Sequence, residues 1–242
     1  MSPPKISRVL VGVDFDDASA SALKIAGVLA STWDAAITVF HSSMLEAPAY
    51  FTADQIETLE AERKQSRAAA IAQLRLFAAL HVRRAVDVMV EEGQPQDALL
   101  RMAADFDLIV VGTHRRHGVQ RWWLGSVAEA VVRGSRRPVL VVPAGAGVPE
   151  AGRPTILAAG GEGAAAAAWV DLLKITFGGS VVRSPDLHQC APERLQGTDL
   201  IVLSMPAAGD PHFGAIKQVL KACVHPVLFI PSTDGTVERS PS

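Results

Sequence analysis

A chain of 242 residues has room for one large domain or two modest ones. Hydrophobic residues at 49% and charged residues at 20% are enough to close a core, which excludes a disordered polymer. Lys plus Arg at 23 against Asp plus Glu at 25 leaves a formal net charge of -2, which argues against wholesale coating of nucleic acid or of an anionic membrane.

Short β-branched runs alternate with longer runs of helical period, the pattern of parallel strands joined by crossover helices, so the fold class is α/β. Arg8 to Val13 reads as the first strand and Ala18 to Thr32 as the helix behind it. Ala35 to Phe40 is the second strand. A long helix then runs from about Ala53 to Leu80, with Ile56, Leu59, Ile71, Leu74 and Leu76 marking one face. Val86 to Val90 is the third strand, and the next helix opens at Pro95, where a missing amide hydrogen costs nothing. Leu108 to Val111, apolar throughout, reads as a fourth strand buried on both faces. After a Gly/Arg/His loop come a helix from about Gly125 to Arg133 and a fifth strand, Val139 to Val142.

Residues 144–153 contain Gly145, Gly147, Pro149 and Gly152 and read as a linker. Beyond them the pattern restarts in shortened form. Asp199-Leu-Ile-Val-Leu203, a helix and Pro226-Val-Leu-Phe-Ile-Pro231 echo Asp107-Leu-Ile-Val-Val111, a helix and Pro138-Val-Leu-Val-Val-Pro143. Thr155 to Ala159 with a helix Ala164 to Ile175 likewise echo the first strand and helix, so the chain holds an internal repeat. The expected units are a domain over 1–143, the linker, a degenerate copy over 154–231 without the long helix or a clear third strand, and a polar, disordered tail over 232–242. The two Pro-flanked final strands of the halves are candidates to pair across a pseudo-twofold axis and cover each other's open edges; two domains tethered side by side is the alternative. Cys190 and Cys223 make no disulfide framework, and with no signal-peptide core or long apolar run the expectation is a soluble, cytoplasmic protein.

The loop after the fourth strand, Gly112-Thr-His-Arg-Arg-His-Gly118 through Gly125-Ser126, carries the strongest chemical signal. In a parallel sheet, ligands bind outside the carboxyl ends of the strands where neighbouring connections diverge. Gly112 lets backbone approach a ligand there, and Gly125-Ser126 opens a helix whose free amides suit an anion. Asp14, leaving the first strand at the same edge, can accept hydrogen bonds from a ribose or base. Together these features point to a nucleotide. The same residues also fit a Gly-rich connection with an ordinary Ser cap.

Asp14, Gly112-x2-Arg115-x9-Gly125-Ser126 and the following Val-Ala-Glu-Ala-Val-Val to Pro138-Val-Leu-Val-Val resemble the universal stress protein family, whose pattern is Gly-x2-Gly-x9-Gly-Ser/Thr. The resemblance covers residues 5–143 and implies a five-stranded parallel sheet sandwiched by helices and a dimer formed through the last strand; the family divides into members that bind ATP, with magnesium as its candidate companion, and members that bind none. It places Gly12, Val13 and Asp14 at the adenosine and Ser42 at adenine. Val111, Gly112, Gly125, Ser126 and Val127 then form the ribose and phosphate cradle. Arg115 stands where the family carries its second glycine; its side chain either fills the space beside ribose and phosphate or pairs with phosphate. In the second copy Gly160 replaces Asp14 and Ser204 to Phe213 replaces the long loop, so that half is expected to bind no ATP and to serve as architecture.

Other patterns compete with this reading. Gly161-Glu-Gly163-Ala-Ala-Ala166, with Asp186 downstream, meets the dinucleotide fingerprint of an oxidoreductase, in a half too short for both nucleotide-binding units. His188-x-Cys190 and Cys223-x-His225 have zinc-ligand residue types, but the proposed fold sends them to opposite edges of the sheet, so no metal site is expected. Arg115, Arg116, Arg121, Arg133, Arg136 and Arg137, with Glu129 among them, form a basic stripe for phosphates or an acidic protein partner, or a solvated helix face. Trp122 and Trp123 are adjacent and cannot share one helix face. No nucleophile with its base and no Walker loop is legible, so the chain is expected to be no enzyme, with slow ATP hydrolysis left open. Two functions follow: an ATP-binding stress-response regulator, or a non-binding scaffold that recruits a protein through its arginines.

Overall fold

The computed structural model describes residues 3–43, 53–114, 125–149, 154–159, 163–184, 197–205 and 225–231, with the side chains of 53–58 left out. In chain order these form β1 (Arg8–Gly12), α1 (Asp17–Trp33), β2 (Ala36–Ser43), α2 (Ala53–His81), β3 (Asp87–Glu92), α3 (Pro95–Met102) and β4 (Leu108–Thr113). There follow α4 (Ser126–Gly134), β5 (Val139–Pro143), β6 (Thr155–Ala159), α5 (Ala164–Phe177), β7 (Ser180–Ser184), β8 (Leu200–Ser204) and β9 (Val227–Ile230). All nine strands join one sheet in the order β3-β2-β1-β4-β5-β9-β8-β6-β7.

The apolar runs lie at the centre of that sheet because helices cover both faces. Val9 to Val11 and Leu108 to Val111 are no more than 3% exposed. Leu23 of α1, Leu74 of α2 and Leu173 of α5 pack into the core on one face; Leu99 of α3 and Val131 of α4 pack into the other. The strands β2 and β4 run past their predicted ends, pairing through Ser43↔Glu92 and Thr113↔Pro143, and so carry ordered backbone to the edge where the site forms.

One helix face is corrected. Leu74 is fully buried, but Leu76 is 70% exposed, since two residues turn an α-helix by about 200°. The buried face of α2 continues instead through Ala78, with Ile71 and Phe77 packed against it. Ile56 lies among the side chains outside the described set.

Reading outward from β9, the order β9-β8-β6-β7 repeats the chain order of β5-β4-β1-β2, with no counterpart of β3 among the described residues. The echo extends to single hydrogen bonds. Asp107 Oδ2 accepts from the backbone N–H groups of Ser7 and Arg8, and Asp199 Oδ2 accepts from that of Thr155. The amides of Ile109 and Ile201 donate to Pro138 and Pro226 respectively, each at 3.0 Å. Between the halves β5 and β9 pair antiparallel, with Leu140 opposite Leu228, so the final strands meet and share one sheet. Beneath that seam the Trp33 indole of α1 donates to Thr176 Oγ1 at 2.7 Å and meets Trp169 of α5 edge-on. The start of the expected linker is tied down as well: the Gly145 amide donates to Ser21 Oγ, and Ala146 and Val148 pack on the core. No helix among the described residues is long and apolar enough to cross a membrane. Residues 232–242 lie outside the described set.

Candidate functional site

Strands β1 and β4 are neighbours, but their connections leave toward opposite faces, α1 to one and α4 to the other. The carboxyl ends of the two strands therefore part, which is where a ligand crevice is expected in such a sheet. A cavity of about 250 Å³ lies there. Gly12, Val13 and Asp14 line it from β1, Ser42 from β2, Val111 and Gly112 from β4, and Gly125, Ser126 and Val127 from the start of α4. The structure thus brings together every predicted site residue except Arg115, which lies outside the described residues.

The turn from β1 to α1 is held by its own side chains. Asp16 caps α1, its Oδ1 accepting from the Ser19 amide at 2.6 Å, while Ser19 Oγ accepts from the Asp14 amide at 2.8 Å. Phe15 adopts a left-handed φ of 55°, a conformation that costs a bulky residue roughly 1–3 kcal/mol. Its ring is fixed between His41 and Phe77, which keeps it in place. The turn leaves the Asp14 carboxylate exposed at the cavity mouth.

Gly112 serves a purpose the sequence did not disclose. A Cβ there would stand 2.7 Å from the Ala18 carbonyl carbon and 2.9 Å from the Ser19 nitrogen, so the glycine admits the backbone of α1 against β4. At Gly125 a Cβ would meet no described atom within 4 Å. Gly125, not Ser126, is the N-cap of α4, and no side chain caps that end. The Gly125 amide itself donates to Thr113 Oγ1 at 3.4 Å, and the first residues of α4 line the cavity.

A hydroxyl and a ring that line the cavity each donate to backbone. Ser42 Oγ donates to the Gly93 carbonyl, and His41 Nδ1–H donates to the Val13 carbonyl at 2.8 Å. Ser42 is left to accept, and Nε2 of His41 accepts whenever the ring carries a single proton, on Nδ1. On the other side His114 Nε2–H donates to Asp16 Oδ2 at 2.5 Å. Burial pulls the Asp16 carboxyl upward, but the hydrogen bonds of Ser19 and the charge and hydrogen bond of His114 outweigh it and hold Asp16 below the usual carboxylate value.

The protein-family comparison decides what these elements belong to: the model of the universal stress protein family matches residues 5–143. The chain belongs to the universal stress protein family. A universal stress protein from Archaeoglobus fulgidus DSM 4304 superposes with a TM-score of 0.66 at 15% identity, covering 93% of this chain and 98% of that one. A putative universal stress protein from Pseudomonas aeruginosa UCBPP-PA14 gives 0.60 at 13%, covering 93% of each. A universal stress protein solved in complex with cAMP gives 0.42 at 24%, covering 58% of this chain and 99% of that one. No curated protein matches the sequence. The first two similarities show that this universal stress protein shares its fold with solved structures across both halves.

Asp16, Ser19 and His41 line the cavity and escaped the sequence reading, which took His114 only as part of the Arg/His loop after the fourth strand. Asp16-x-x-Ser19 ahead of an apolar run was a legible capping signal; nothing in the spacing joined His114 to Asp16, 98 positions away. Of the basic stripe, Arg133 pairs with Glu129 at 3.3 Å and Arg137 donates to the Ala104 carbonyl at 2.9 Å. Arg116, Arg121, Trp122 and Trp123 lie outside the described residues, as do Gly160, Gly161, Asp186, His188, Cys190, Phe213 and Cys223. Among the described residues no group of three or more His, Cys, Asp or Glu is placed to hold a metal.

Proposed function

We propose that this universal stress protein is an ATP-binding regulator of a stress response and not an enzyme. The carrying observation is one cavity with opposite chemistry at its two sides. Asp14, Ser42 and His41 offer acceptors suited to ribose hydroxyls and an amino base, and α4 opens on the cavity at a glycine N-cap, a helix start suited to phosphate. ATP carries donors at one end and anions at the other. Magnesium accompanying ATP would be held mainly by the phosphates and water. The second half, read as a degenerate copy, supplies the partner for β5 and binds no nucleotide, forming a pseudo-dimer within one chain.

The test is mass spectrometry of ligand released on denaturing the purified protein, with thermal shifts for ATP, GTP and cAMP. Saturation at one hundred times Kd adds about 2.7 kcal/mol of stability. No released nucleotide and no shift at millimolar ATP sink the reading. Sustained phosphate release from ATP would overturn the non-enzyme part. The second reading, a non-binding scaffold for an acidic protein, is favoured by Arg115 in the family's second-glycine position. Arg115→Gly separates them: ATP affinity rises if Arg115 obstructs the cavity and falls if it clasps phosphate.

A further inference from the structure

The described lining of the cavity contains two carboxylates, Asp14 and Asp16, and neither Lys nor Arg. A polyphosphate is repelled by these two carboxylates, and a cation beside either of them lessens that repulsion. Among the described lining residues only two side chains can carry a positive charge, His41 and His114. His41 sits on β2 with Nδ1 bound to the Val13 carbonyl, on the side away from α4. His114 follows β4, lines the cavity with the first residues of α4, and holds Asp16 through Nε2. The His114 side chain is 59% exposed and that of Asp16, beneath it, 23%.

From this we infer that His114 is a specificity residue for phosphate charge: its cation cancels Asp16 at the cavity mouth and thereby admits a nucleotide triphosphate. The inference rests on the nucleotide reading and assigns a task within it. Asp16 keeps its negative charge, because Ser19 and His114 both stabilise the ionised form.

The experiment measures Kd for adenosine, AMP, ADP and ATP by calorimetry on the full chain, at low and high salt. The proteins are wild type, His114→Gln, and Asp16→Asn combined with His114→Gln. Glutamine preserves a donor to Asp16 without the charge, and asparagine preserves the cap of α1. His114→Gln is expected to weaken ATP about tenfold, AMP less, and adenosine by under about twofold, with the loss shrinking at high salt. The double variant regains ATP affinity, since the uncovered carboxylate is gone. Unchanged ATP binding in His114→Gln overturns the inference alone, and so does an equal loss for adenosine and ATP. Wild-type protein that binds none of the four ligands removes the nucleotide reading and this inference together.

Discussion

Gly112 and Gly125 bracket the same loop, yet the structure gives them different duties. At Gly112 an added methyl meets backbone of α1, which cannot swing aside as a side chain can. Gly112→Ala is expected to cost about 1–3 kcal/mol and to separate α1 from β4. Gly125→Ala meets none of the described residues and costs at most about 1 kcal/mol, from the poorer N-cap. Urea midpoints of the two variants check the difference; equal losses would show that the close approach carries no energy. The neighbouring Asp16 makes a pH-dependent contribution. Its folded pKa lies below the unfolded value of 3.8, so the ionised cap stabilises the fold above that pH and the contribution is lost as pH falls through the folded value. Asp16→Asn should flatten the fall of Tm below about pH 4, and an unchanged acid limb would show that the cap titrates alike in both states.

At the scale of elements, strands were legible where burial was complete and helices where periodicity was strong. β4 is apolar throughout because α1 and α4 cover its two faces, so its sequence could be read without knowing its partners. β7 lies at the end of the sheet with Val182 39% exposed, and its sequence carries no such signature. The long helix α2 has apolar residues on more than one side, and Leu74 and Leu76 looked equivalent until packing separated them. Leu74→Ala is expected to cost about 2–5 kcal/mol, whereas Leu76→Ala should stay within about 0.5 kcal/mol of wild type. Denaturant titration of the pair reads this directly; similar costs would place Leu76 under a covering absent from the described residues.

For the whole molecule, the antiparallel seam between β5 and β9 decides how the halves live together. Three facing pairs, Val139 with Phe229, Leu140 with Leu228 and Val141 with Val227, cover an edge that a chain ending after Pro143 would expose. A chain truncated after residue 148 is therefore expected to associate through β5 into a dimer, while the full chain keeps that edge covered internally. Light scattering on both proteins tests this, and a folded, monomeric truncated chain would show that the second half is not needed to cover β5.

The amino-acid sequence by itself determined the α/β class, the order of the elements, the repeat of the Asp-led strands and nearly all of the cavity's predicted residues. These features follow from local rules: burial on two faces makes a strand apolar, and a chain reversal at a sheet edge calls for glycine and a helix start. Only the tertiary structure decided that Gly112 makes room for α1, that His114 reaches Asp16, and that β5 and β9 run antiparallel. Each depends on groups far apart in the chain, and such contacts have no periodicity for a sequence to display.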